Sequence, residues 1–163
     1  QRFDLSVALG EDFLFNLEYL SKCCKIKTVS SVGYFYNCMN ESAATKKLRG
    51  NDIEQVLFLY RKGCDFLRNY CPSMPESKEL KKRLCLNGIN LIQLICYSDR
   101  TQGEKKRLAK KLLVNNDFID ACRENYDLPI KYDLPRKLCL YNNWNGLQVF
   151  FLIKGRLSRI KGV

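Results

Sequence analysis

The sequence predicts a mainly α protein: a small piece over residues 1–45 with one helix and two short strands, followed by a bundle of about five helices over 46–163. Three observations carry this. Apolar residues recur at helical spacing over most of the chain beyond Asn40. After Lys25 the period changes, and Val, Tyr and Phe accumulate. The chain has 163 residues, 46% of them hydrophobic and 28% charged, which excludes wholesale disorder and leaves enough apolar mass for one core.

The opening residues read as the middle of a domain, with nothing that caps or starts an element. A helix begins at Gly10-Glu11-Asp12, whose acids fall in the first turn, where the macrodipole favours negative charge. Phe13, Leu14, Leu17 and Leu20 recur along it. Two short strands follow, Lys25–Ser30 around Ile26 and Val29, and Val32–Cys38, with Gly33 punctuating the join. Asn51-Asp52 can cap a helix that runs to about Tyr70 with Ile53, Val56, Leu57, Tyr60, Cys64, Leu67 and Tyr70 as its apolar stripe. Pro72 and Pro75 end it, and a second long helix runs from about Pro75 to Tyr97. Gln102–Leu113 is a third, strongly basic helix, and Asn116 can cap a short fourth to about Arg123. Tyr126-Asp127-Leu128-Pro129 repeats as Tyr132-Asp133-Leu134-Pro135, and two prolines six residues apart predict an extended loop. Helical periodicity resumes from Pro135 to Val163.

Charge and composition restrict the chemistry. Lys plus Arg is 28 and Asp plus Glu is 17, a formal charge of +11, which points to an anionic partner. There is no histidine, so Ser-His and Cys-His nucleophile systems and most zinc sites are excluded, and an enzymatic base would be a carboxylate. Nine cysteines without any Cys-x-x-Cys spacing read as reduced, packed thiols of a cytosolic protein, and no metal site is expected among them. Residues 1–20 carry Arg2, Asp4, Glu11, Asp12 and Glu18, so no signal peptide opens the chain. The uncharged run Leu84–Ser98 falls short of the roughly 20 residues that span a bilayer and reads as a core helix.

Glu11-Asp12 has two readings. It is a helix start, or a carboxylate facing a cleft, placed to take a proton from an acceptor hydroxyl. The order Phe3-Asp4, Gly10-Glu11-Asp12-Phe13-Leu14-Phe15-Asn16, two short strands, Tyr34-Phe35-Tyr36 and Ser42-Ala43-Ala44-Thr45 resembles the second half of a family 2 glycosyltransferase with the GT-A fold, of the bacterial type that builds capsular or exopolysaccharide. The resemblance covers about residues 3–45 and makes this piece a remnant of a GT-A domain. It implies an inverting transfer from a nucleotide sugar to a hydroxyl of a growing, lipid-linked glycan. Asp12 would be the base, and Glu11, Tyr34, Tyr36 and Ser42 would lie on the acceptor side. Asn37 stands where the family commonly has Arg, and no Gln-x-x-Arg-Trp follows, against a processive synthase. The family's donor half, with its Asp-x-Asp motif and a divalent Mn or Mg ion, should precede this segment. No Asp-x-Asp occurs here, so the segment is expected to be a C-terminal portion that supplies no cofactor site and does not turn over alone.

The basic clusters Lys46-Lys47-Arg49, Lys81-Lys82-Arg83 and Lys105–Lys111 read as solvated helix faces or as binding surfaces. The alternative to a transferase is therefore a non-enzymatic helical module that binds RNA or a protein. Without a helix-turn-helix, RNP-type or zinc-finger pattern, nucleic acid is not the expected partner of this chain. An anionic membrane at the inner face of the cell fits the resemblance better. After Asp133 no acidic residue occurs, while Phe150, Ile153, Leu157 and Ile160 recur on one face of the last helix and Lys154, Arg156, Arg159 and Lys161 lie mostly beside or opposite it. The same face could pack on the bundle, and Trp144 suits an interfacial anchor or plain core alike.

Overall fold

The computed structural model describes residues 10–27, 30, 48–74 and 77–160, with side chains through 157. Seven helices form among them: α1 Glu11–Leu20, α2 Asp52–Tyr70, α3 Lys78–Tyr97, α4 Gln102–Leu113, α5 Asn116–Arg123, α6 Ile130–Leu140 and α7 Trp144–Ile160. Six follow residue 46, one more than expected.

Short polar side chains set most of the starts. Ser77 Oγ accepts from the Leu80 amide at the head of α3, and Asn115 Oδ1 accepts from the Phe118 amide at the head of α5. Thr101 and Glu104 form a reciprocal capping box on α4. Asn143 Oδ1 accepts from the Gly146 amide in the first turn of α7. Asn51 makes no such bond at the head of α2; the Asp52 carboxylate instead accepts from the Arg49 amide at 2.6 Å.

The core is organised around α3, which packs on α2, α4, α5, α6 and α7. Leu84, Ile89, Ile92 and Ile95 of α3 meet Leu112 of α4, Phe118 of α5 and Leu147 and Phe151 of α7, all fully or almost fully buried. Gly88 lets α5 come close: a Cβ there would collide with the Phe118 ring. The sulfurs of Cys85 and Cys122 stand 3.8 Å apart in this core, and Cys139 is buried with them. The Cys122 sulfur and burial both push the Cys85 thiol far up, and burial pushes Cys96 up to about 11, so these thiols stay protonated.

Two expectations are corrected. No strand occurs among the described residues: Lys25–Lys27 is irregular, with Ile26 69% exposed, while residues 28 and 29 of the first expected strand and the whole of the second, Val32–Cys38, lie outside the described residues. The loop over Tyr126–Pro135 is shorter than expected, because α6 starts at Ile130 and contains Pro135. Pro129 precedes the helix, where a missing N–H costs nothing. Pro135 forfeits one backbone bond, to the Lys131 carbonyl, and its ring is fully buried in the core.

Candidate functional site

The site residues of the first piece are held by α1. Gly10 precedes the helix with φ +87°, a left-handed conformation that a residue with a Cβ adopts only under strain, and that Cβ would also strike Leu59 of α2. The sharp entry sets Glu11 and Asp12 as the first turn. Asp12 is exposed, and its Oδ1 accepts from the Phe13 amide at 2.7 Å; Glu11 is half-buried. Below them, Phe13 lies under the Arg83 guanidinium of α3, 4.8 Å from the ring centroid, and beside Leu59 and Leu80 in a small hollow between α1, α2 and α3. The first turn of α1 therefore carries an accessible carboxylate whose oxygen is held by the adjacent backbone amide. Chemically, that is a group able to accept a proton from a hydroxyl that approaches from solvent.

α1 itself is unusual. It is apolar around most of its circumference, through Phe13, Leu14, Phe15, Leu17 and Leu20, yet none of its residues is buried. It leans on α2, and a long open groove runs between them, lined by Leu14, Phe15, Leu17, Phe58, Lys62, Phe66 and Tyr70 among others. The sequence reading missed this groove. Its signal is a second stripe on α2, Phe58, Lys62, Phe66 and Tyr70 at i, i+4, i+8 and i+12, beside the stripe that faces the core. Lys62 stands 5.5 Å over the Phe58 ring, and the Phe66 and Tyr70 rings are 5.1 Å apart.

The remaining acceptor-side residues, Tyr34, Tyr36 and Ser42, lie outside the described residues, as does Lys161; of Arg159 only the backbone, in α7, is described. Compared with known protein families, curated proteins and solved structures, the chain matches none. Among the described residues, no three Cys, Asp or Glu side chains converge as a metal site.

The C-terminal expectations fare differently from residue to residue. The inward face of α7 is Trp144, Leu147 and Phe151. Trp144, 7% exposed, belongs to the core and cannot serve as an interfacial anchor as placed. Phe150 is half-buried against the core, whereas Ile153 and Leu157 point outward. Lys154 turns inward: its Nζ donates to Gln93 Oε1 at 2.7 Å and sits over the Phe151 ring. Burial and the nearby Lys131 ammonium lower its pKa. Arg156 is exposed. No helix among the described residues is long and apolar enough to cross a membrane.

Proposed function

We propose that this chain is the acceptor-side part of an inverting glycosyltransferase, with Asp12 as general base. The observation that supports the reading is the local build of Gly10-Glu11-Asp12. A left-handed glycine, an exposed carboxylate pinned by a backbone amide, and a helix of apolar circumference with no buried residue suit the edge of a larger catalytic domain. In the proposed reaction Asp12 takes the proton of an acceptor hydroxyl as that oxygen attacks the anomeric carbon of a nucleotide sugar. The bond to the nucleotide diphosphate breaks, the diphosphate leaves with the electron pair, and the anomeric configuration inverts. The glycan acceptor would approach from the side of Glu11 and of Tyr34, Tyr36 and Ser42. Among the described residues no three Cys, Asp or Glu side chains form a ligand set for the metal expected with the donor.

The test is made on the transferase that contains this chain joined to its donor-binding half. Release of nucleoside diphosphate from a panel of UDP-, GDP- and dTDP-sugars is followed with wild type and with Asp12→Asn. The amide keeps the size and the capping oxygen but cannot accept the proton, so turnover should fall by about 10²–10⁴-fold, with the circular dichroism spectrum unchanged. Turnover within a few-fold of wild type would remove Asp12 from the reaction.

A further inference from the structure

The outward side of α7 is apolar, and among the described residues nothing covers it. Val149, Leu152, Ile153 and Leu157 are 57%, 53%, 54% and 52% exposed, on the side opposite Trp144, Leu147 and Phe151. Along the helix axis they span about 12 Å. α6 packs on α7, and Ile130 in its first turn is 81% exposed. Arg156 projects from the stripe itself, and Lys131 and Lys137 are exposed on α6. Asp133, the last acidic residue of the chain, is already occupied by Arg136 and Lys137.

We propose that the outward face of α7, with the first turn of α6, docks on an anionic membrane surface. The inference is independent of the catalytic reading. It rests on the pairing of an aliphatic stripe with Arg156 and Lys131, exposed cations that form no ion pair with a carboxylate among the described residues, which is the pattern of a helix that lies in the headgroup region. A second copy of the chain is a poorer occupant, because a twofold contact through this face would set cation against cation. A protein groove is also a poorer match, because the stripe is aliphatic and convex and lacks an exposed aromatic anchor. The apolar residues would enter the headgroup boundary while Arg156 and Lys131 meet lipid phosphates. Lys154, turned toward Gln93, stays out of the contact.

Co-sedimentation of the 163-residue chain with phosphatidylcholine vesicles containing phosphatidylglycerol, against pure phosphatidylcholine vesicles, tests this. Binding should need the anionic lipid and weaken when salt is raised from about 0.1 M to 1 M, where the screening length falls from about 10 to 3 Å. Ile153→Ser/Leu157→Ser should weaken binding by roughly tenfold, from lost apolar burial. Arg156→Gln should weaken it by about fivefold. All three side chains are exposed, so the helical signal should not change. Equal binding to both vesicle types, or a double serine variant that binds like wild type, would overturn the proposal. So would a concentration-dependent dimer that the double variant abolishes, because the stripe would then belong to a second copy.

Discussion

At Arg136, Nη1 donates to the carbonyls of Cys122 at 2.7 Å and Glu124 at 3.2 Å, while Nε and Nη2 hold Asp133 Oδ1 at 3.1 and 2.7 Å. One buried guanidinium thus satisfies the carbonyls at the end of α5 and fastens them to α6. Arg136→Met keeps the bulk and strips those acceptors of their donor. It should cost about 2–4 kcal/mol in urea unfolding, and Arg136→Lys should cost less because one ammonium still reaches part of the network. Asp133 is the acidic end of the same network. Lys137 and Arg136 hold its pKa below the ordinary 3.8, so the folded state favours the carboxylate. Its contribution is fully present above about pH 4 and is lost as pH falls through the lowered folded value. Thermal melts of wild type and Asp133→Asn should therefore differ at pH 6 and draw together as the pH drops below about 4. Parallel melting curves down to pH 2 would show that the network does not select the charged form.

At the scale of the elements, the close approach of α3 and α5 is the tightest packing constraint. Gly88→Ala drives a methyl into the Phe118 ring, and both residues are buried, so the chain should lose about 1–3 kcal/mol. Phe118→Leu opens space at the same point. The double variant should lie closer to Phe118→Leu alone than additivity allows, which a double-mutant cycle in urea would register. The limits of what sequence can say also lie at this scale. The basic helix α4 was legible from Gln102 to Leu113, because Thr101 and Glu104 mark its start and Val114-Asn115-Asn116 interrupts the pattern. α6 was not, because two prolines in ten residues read as a loop when the burial of the Pro135 ring is unknown. The face of α7 was not legible for a different reason. Val149, Phe150, Phe151, Leu152 and Ile153 are five apolar residues in succession, and such a run fits either orientation. Contacts from other elements decide it. Tyr97 Oη donates to the Phe151 carbonyl at 2.9 Å and its ring lies against Gly155, which turns Ile153 and Leu157 outward.

Across the whole molecule, the helical bundle of residues 48–160 is anchored by α3 and by capped helix starts, whereas α1 leans outward on α2 with an apolar surface still open. The start of α1 could be read from Gly10-Glu11-Asp12 alone, because an acidic pair before an apolar run has one simple structural meaning. The open groove beside α1 could not, because it depends on where α2 presents its second stripe of rings. The buried sulfurs of the core give this architecture a practical consequence. Cys85, Cys96, Cys122 and Cys139 are sealed inside the bundle, while Cys23, Cys24, Cys64 and Cys71 lie at or near the surface. An alkylating dye should therefore tag the chain in two waves. The early wave samples the native surface, and the late wave can proceed only as often as α3, α5 and α6 come apart together. The native thiols thus form an intrinsic clock for cooperative opening, which mass spectrometry can time without any engineered label.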